Sequence, residues 1–240
     1  MFSFIFCCFF NIFFYLNSFS FNLYDIYPNY IVNLNTIKII HKTKNSKNKI
    51  LCVFGVLEND YGKKIEDEML KWLLPNYNLY IVYQKYPGKL FEYPALKFAQ
   101  YLIKKTNITL LLYIHSKGAF YPNRDNIQSV VRELWKYEFS GYNIKKYITP
   151  IINNQADVTT IFASRNQTTW FNGFYISDRA FNIIGNLDKK LKRSRHIFET
   201  LFKGTKARVL GIIENNVEKP HPVARKYFEK IKLKNNFNDL

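Results

Sequence analysis

Cysteine, glycine and proline are all scarce in this sequence of 240 residues, and each scarcity excludes a class of structure. With 9 glycines and 8 prolines, the chain is neither collagen-like nor a flexible linker. The three cysteines, Cys7, Cys8 and Cys52, are too few for a disulfide framework. There is no CxxC pair and no Cys/His cluster, so the sequence offers no structural zinc site.

Familiar phosphate-binding and catalytic motifs are also missing. The sequence contains no Walker loop, no GxGxxG fingerprint, no GxSxG elbow and no HExxH helix. It also has no Asp-x-Asp pair at the end of a predicted strand, so a divalent metal is not expected. These absences exclude the function classes that those motifs define.

What the chain does contain is an ordinary globular composition with a strong excess of positive charge. Apolar residues make up 48% and charged residues 22%, which argues against wholesale disorder. The formal net charge is +17, and residues 181–240 hold 14 Lys and Arg against 6 Asp and Glu. This basic region is either a solvated helix face or a surface that attracts phosphates, acidic sugars or a membrane.

The composition divides the chain into four zones. Residues 1–21 carry no charged side chain and predict a secretory signal or short membrane anchor, although they lack the usual cationic start. Residues 22–49 are polar and predict a stem or linker, residues 50–215 an α/β domain, and residues 216–240 a basic tail. If the first zone is recognised, the protein is membrane-associated in the ER or Golgi. If it is a spurious upstream start, the protein is cytoplasmic.

The fold class follows from the periodicity of the third zone. Residues 50–56 form a continuous apolar run that predicts a strand buried on both faces, and residues 77–83 and 108–114 read as the second and third strands. Helical stripes over 63–74 and 94–105 separate them. This alternation predicts an α/β fold with a Rossmann-like, open, mostly parallel sheet and helices on both faces.

Ligands of such sheets bind outside the carboxyl ends of the strands. The first predicted strand contains Gly55 near its carboxyl end and is followed by Glu58, Asp60 and Tyr61, where a nucleotide base and ribose would dock. A solvated loop is the alternative for these residues. The sequence therefore predicts nucleotide-binding candidates in this loop.

The loop after the third predicted strand contains His115, Ser116, Lys117 and Gly118. Histidine and lysine can neutralise and hydrogen-bond a phosphate or diphosphate, and glycine allows close backbone approach. Arg132, on the next predicted helix, could reach the same anion. The alternatives are a solvated strand exit and an arginine on the wet face of its helix.

Two further segments carry candidate chemistry. Trp170, Asn172 and Gly173 belong to an aromatic strand, where Asn and Gly are costly unless a ligand or backbone approaches, or unless the strand turns or bulges. They are candidates for sugar or acceptor contacts. Asp157, just before another predicted strand, is a candidate general base, with a capping aspartate as the alternative.

Taken together, these segments resemble a group of glycosyltransferases related to rhamnan synthesis protein F. That group has a strand ending in His-Thr-Lys-Gly, a Trp-Arg helix and a later Gly-Asn-Phe-Trp-Trp strand. The present sequence has its His-Ser-Lys-Gly version at residues 115–118, keeps Arg132 without the tryptophan, and has Asn172 and Gly173 in reverse order. The resemblance covers roughly residues 50–215.

The resemblance implies a glycosyltransferase of the A-type fold that moves a sugar from a nucleotide-sugar donor to a glycan or other hydroxyl acceptor. His115, Ser116, Lys117 and Gly118 would lie near the donor diphosphate with Arg132 in support, in place of a metal. Asp157 or His115 would serve as catalytic residues, and Asn172 and Gly173 would line a sugar.

Two alternatives remain open at the level of sequence. The departures from the family pattern leave room for a non-catalytic scaffold that keeps the fold. The pI of about 9.6 suggests a nucleic-acid-binding module. No nucleic acid is expected, however, because the sequence has no RNA or DNA motif and its cations cluster late in the chain.

Overall fold

The fold is given by a computed structural model that describes residues 37–42, 50–85, 92–119, 125–187 and 199–236. The predicted signal or anchor segment, residues 1–21, lies outside the described residues, as do the basic residues at 189–195. Within the described ranges, no helix combines the length and apolarity that crossing a membrane requires.

Strands and helices alternate along the described chain, as the periodicity predicts. The strands are β1 (Ile37–Lys42), β2 (Ile50–Glu58), β3 (Tyr77–Lys85), β4 (Leu110–His115), β5 (Val158–Phe162), β6 (Phe174–Ser177) and β7 (Val209–Glu214). The helices are α1 (Asp60–Asn76), α2 (Tyr93–Lys105), α3 (Asp125–Glu138), α4 (Ile144–Ile152), α5 (Asp178–Ile184) and α6 (Pro220–Asn236). Short 3₁₀ turns occupy Gly141–Asn143 and Trp170–Asn172.

The described strands form one open sheet in the order β1-β3-β2-β4-β6-β5-β7. Strand β2 is parallel to both β3 and β4, and β5 is parallel to β7. Strands β1 and β6 run antiparallel to their neighbours. The α/β class is therefore confirmed, while the sheet is more mixed than the periodicity alone predicts, because alternating polarity does not report strand direction.

Helices cover both faces of the sheet. Cys52 and Phe54 of β2 belong to a buried core with Met69 of α1 and Trp135 of α3. On the opposite face α2 packs against β2, so closely that a Cβ atom on Gly55 would lie 2.9 Å from the Cβ of Ala95. Burial on both faces explains why β2 and β4 are continuous apolar runs.

The folded part extends beyond residues 50–215 at both ends. Residues 37–42, predicted to lie in a linker, form the edge strand β1. Residues 220–236, predicted to be a basic tail, form helix α6, and its Ala224 and Ile231 are buried in the core. The composition of these segments did not predict a strand or a helix, because the charged residues on one face of an amphipathic element outweigh the apolar residues on the other.

Candidate functional site

A cavity of about 420 Å³ opens at the carboxyl ends of β2 and β4. Its walls come from these strand ends, from the start of α2, from the Trp170–Asn172 turn, and from the start of α6. Its polar lining consists of Gln84, Glu92, His115, Ser116, Lys117, Gly118, Gln128, Asn172, Glu199 and His221. Its volume is in the range of small-molecule sites, roughly 300–1,000 Å³.

The loop after β4 is fixed to the end of β2 by hydrogen bonds. The backbone N–H of Ser116 donates to the carbonyl of Gly55 at 2.7 Å. The Ser116 hydroxyl accepts from the backbone N–H of Leu57 at 3.0 Å, and Asn59 Nδ2 donates to the carbonyl of Ala119 at 3.1 Å. Ser116 therefore fixes the loop conformation, and it lines the cavity together with its neighbours His115 and Lys117.

Glu92 joins two candidate residues that are far apart in the sequence. Its Oε1 lies 3.3 Å from Nε2 of His115, and its Oε2 accepts a hydrogen bond of 2.6 Å from Nδ2 of Asn172. Glu92 directly precedes α2 but does not cap that helix through its side chain. All three residues line the cavity, with side-chain exposures of 18% for Glu92 and 12% for His115.

Lys117 has an acidic neighbour of its own. Its Nζ lies 3.7 Å from Oε1 of Glu199 and 5.8 Å from the centroid of the Phe171 ring. The Phe171 ring is in turn stacked on His221, with centroids 5.7 Å apart and planes 10° apart. The cation expected to meet a phosphate is thus already close to a carboxylate and to an aromatic wall.

Arg132 lies behind the loop rather than in the cavity wall. Its Nη1 donates to the carbonyl of Lys117 at 2.7 Å, and its Nε lies 3.4 Å from Oε2 of Glu68 on α1. The residue is only 3% exposed. The sequence predicts a direct contact from Arg132 to the anion; the structure instead makes it a positioning residue for Lys117.

The Trp170–Asn172 turn has unusual backbone geometry. Phe171 and Asn172 have φ angles of 69° and 54°, in the left-handed region that most residues avoid. Such strain tends to persist at functional sites. Asn172 is 3% exposed, and its Oδ1 has no hydrogen-bond partner among the described residues. Trp170 also lines the cavity, and its Nε1 donates to the carbonyl of Val217 at 2.7 Å.

Gly173 does not line the cavity, and the structure gives a different reason for a glycine there. A Cβ at this position would lie 2.3–2.8 Å from atoms of the Trp135 indole. Trp135 is 1% exposed and meets His115 edge to face, with ring centroids 5.7 Å apart. What approaches Gly173 in the structure is therefore a side chain of α3, the Trp135 indole.

The predicted nucleotide-binding residues in and after the last part of β2 are divided. Gly55 lines the cavity, but Glu58, Asp60 and Tyr61 do not. Glu58 and Asp60 are exposed, and the half-buried Tyr61 packs against the core. The cause is local: Asn59 caps α1 by accepting a bond of 2.6 Å from the N–H of Gly62, which begins the helix at once and turns these side chains away.

Asp157 is not brought to the cavity. It precedes β5, and Val158 lies level with Ile176 of β6, which in turn pairs with Leu111 at the start of β4. The carboxylate therefore lies level with the amino-terminal end of β4. The cavity lies at the carboxyl end of β4, roughly 13 Å farther along the strand. At that distance the carboxylate cannot serve the cavity as a general base.

The bonds of Asp157 explain its presence instead. Its carboxylate accepts bonds from Arg179 Nε, from the backbone N–H of Arg208 at 2.7 Å and from Arg208 Nε at 3.3 Å. Burial alone would raise the pKa of this carboxyl, but the bonds from Arg208 and Arg179 and the Arg179 charge outweigh it and lower the pKa. Asp157 therefore fastens the β5, α5 and β7 segments together.

The sequence analysis missed several lining residues, chiefly Glu92, Glu199 and His221. Glu92 carried a usable signal, because an acidic residue just before Tyr93 and Pro94 marks the start of a helix that follows a strand. Glu199 lies beside a basic run and His221 in the assumed tail, and neither has a local pattern that points to a site.

The chain has no match among protein-family models, curated proteins or solved structures. Within residues 37–42, 50–85, 92–119, 125–187 and 199–236, no group of three or more His, Cys, Asp or Glu could hold a metal ion. The support for the candidate site therefore comes from its geometry alone.

Proposed function

We propose that the protein is a glycosyltransferase that takes its sugar from a nucleotide-sugar donor bound in the cavity. The observation that carries this proposal is the position of the cavity. Strand β2 has β3 on one side and β4 on the other, so the chain reverses its direction of travel across the sheet between β2 and β4. Open α/β sheets bind nucleotides at such switch points, outside the carboxyl ends of the strands.

The chemistry of the lining supports a sugar-bearing ligand. Carboxylates, amides and histidines, such as Glu92, Asn172 and His115, exchange hydrogen bonds with hydroxyl groups. Trp170 and Phe171 add flat apolar surface beside them. Lys117, two residues after the end of β4, is the side chain that we propose to contact the donor diphosphate, and Gly118 next to it also lines the cavity. The proposed fold is the mixed-sheet, A-type version of a nucleotide-sugar enzyme.

In the transfer step, Glu92 is the proposed proton acceptor in place of Asp157. The acceptor O–H bond breaks and its proton goes to the Glu92 carboxylate, while the acceptor oxygen forms a bond to the anomeric carbon. The bond from that carbon to the donor phosphate oxygen breaks, and its electron pair leaves with the nucleoside diphosphate. Lys117 stabilises the charge on that leaving group, while His115 and Asn172 position Glu92.

Donor binding is tested by thermal unfolding of the full chain with UDP, GDP, UDP-glucose and GDP-mannose, each with and without Mn²⁺. A ligand at 100 times its Kd stabilises a protein by about 2.7 kcal/mol. We expect a metal-independent shift with one base. Lys117→Ala should weaken that ligand at least about tenfold, because the charge facing the diphosphate is lost.

The matched control is Lys104→Ala, which removes an exposed lysine in the last turn of α2, away from the cavity. It should leave the shift unchanged. No shift with any nucleotide would contradict the proposal. Binding without release of nucleoside diphosphate would favour the non-catalytic scaffold instead.

A further inference from the structure

We infer that the cavity is selective for a neutral donor sugar and discriminates against an acidic one such as a uronate. This inference rests on the proposed function and names the substrate class of the same site. It follows from the charges that the fold brings into the cavity, which no sequence motif reveals.

The charged lining of the cavity, within the described residues, consists of one lysine, two histidines and two glutamates. Both glutamates lie close to basic side chains. Glu92 lies 3.3 Å from His115, and Glu199 lies 3.7 Å from Lys117. Lys117 and His115, the two side chains proposed to meet phosphate, thus each have a carboxylate beside them.

This pairing limits how much negative charge a ligand can bring. Glu92 and Glu199 partly offset the positive charge near His115 and Lys117. A diphosphate that contacts these two basic side chains therefore meets only the remaining positive charge. A further carboxylate on the sugar would lie within several ångströms of Glu92 or Glu199, in a partly enclosed space where screening by salt is weak. Like charges at that distance repel strongly, and such repulsion is a common source of ligand discrimination.

A hydroxyl at the same place would be favoured for the same reason. An ionised carboxylate only accepts hydrogen bonds, with about four lone-pair positions, so it binds a hydroxyl donor and rejects another carboxylate. Asn172 also favours a ligand group that donates a hydrogen bond. Its Nδ2 is used by Glu92, and its buried Oδ1, which has no partner among the described residues, is an acceptor that needs a donor.

Matched donor pairs test the inference directly. UDP-glucose and UDP-glucuronate differ only at C6, as do GDP-mannose and GDP-mannuronate. Affinity for each is measured by calorimetry with the full chain at one ionic strength. For the base that the protein accepts, we expect the neutral sugar to bind at least about tenfold more tightly than its uronate.

Two isosteric variants locate the cause. Glu92→Gln and Glu199→Gln each replace a negative carboxylate by a neutral amide, and at least one of them should reduce the neutral-to-acidic affinity ratio severalfold. Glu229→Gln, at a 65% exposed position on α6, is the matched control and should leave the ratio unchanged.

The outcomes separate the inference from the proposal on which it rests. If both members of a pair bind equally, or the uronate binds more tightly, the inference is overturned while the nucleotide-sugar proposal stands. If a preference exists but neither glutamine variant reduces it, the assigned cause is overturned. If none of the four ligands binds, the proposed function itself fails.

Discussion

Asp157 and Glu92 lie at opposite strand ends of one sheet, and each carboxylate contacts two or more neighbouring side chains. Asp157 is bound by Arg179 and Arg208 at the edge where β4 begins, and its side chain is 1% exposed. Glu92 is bound by His115 and Asn172 at the edge where β4 ends.

The difference between these two carboxylates lies in what surrounds the bonds. Asp157 is buried among segments of the fold and does not line the cavity at the end of β4, so its hydrogen bonds contribute to stability. Glu92 shares its bonds with groups that also line a cavity, so a ligand can compete for them. Position relative to the strand ends, rather than residue type, therefore separates a structural carboxylate from a candidate catalytic one.

The largest effect is expected for Glu92→Gln, which removes the proposed proton acceptor. The amide keeps the size of the side chain and can still accept the bond from Asn172, but it cannot take up a proton. We expect the rate of nucleoside diphosphate release from the bound donor to fall by about 10²–10⁴-fold, with donor affinity little changed. Rates come from steady-state release of nucleoside diphosphate, with water or added glycosides as acceptors.

Glu199→Gln is the control for that experiment, because it also removes a cavity carboxylate but one that neighbours Lys117 instead of His115. Because Glu199 contacts Lys117, this variant should lower the rate less than Glu92→Gln does, and Glu229→Gln, at an exposed position outside the cavity, should leave the rate unchanged. Equal losses in both variants would show that Glu92 has no special role, and an unchanged rate in Glu92→Gln would remove it from the mechanism.

At the other edge, Asp157→Ala should cost about 2–4 kcal/mol of folding free energy. The substitution leaves the backbone N–H of Arg208 without its acceptor and removes the anion between two guanidinium groups. Urea unfolding measures this loss. Donor affinity of the folded fraction should remain that of the wild type, and a specific loss of turnover would restore Asp157 as a base.

The pH dependence of stability sharpens the same assignment. Because the folded state lowers the pKa of Asp157, the ionised form adds stability at any pH above the ordinary aspartate pKa of about 3.9. That contribution is lost as the pH falls through the lowered pKa. Asp157→Asn should therefore unfold with a shallower loss of stability below about pH 4, whereas Glu229→Gln should follow the wild-type curve.

The smallest effect expected is that of Gly173→Ala, about 1–3 kcal/mol of stability, because the new methyl group overlaps the Trp135 indole. In a Trp135→Phe background the same change should cost less, since the smaller ring leaves room. Thermal unfolding of the four-member cycle measures this coupling. Strictly additive costs would contradict the contact as the reason for glycine.

The sequence predicted the elements of the sheet better than their pairing. A continuous apolar run identified β2, shorter apolar segments indicated β3 and β4, and helical stripes identified α1 and α2, because burial on one or both faces leaves a recognisable pattern. The direction of β6 left no such pattern. Nor did the burial of α6, whose charged face dominates its composition.

The candidate site was predicted in part for the same reason. The loop of His115 and Lys117 could be found, because it follows directly from a strand end. Glu92 could not be joined to Asn172, since the two residues are 80 positions apart and meet only through the fold. Asp157 shows the converse: its residue type suggested a base, but the register of β5 places it at the other edge.

Sequence patterns alone predicted an α/β chain with a large net positive charge, no disulfide framework and a polar loop after the third predicted strand. Those features depend on local periodicity and on residue chemistry, which a sequence displays directly. Only the tertiary structure decided that Glu92 and Glu199 stand beside the expected cations, that Arg132 supports the loop from behind, and that Trp135 requires Gly173. Each of these depends on contacts between distant segments, and such contacts exist only after strand order and register bring the segments together.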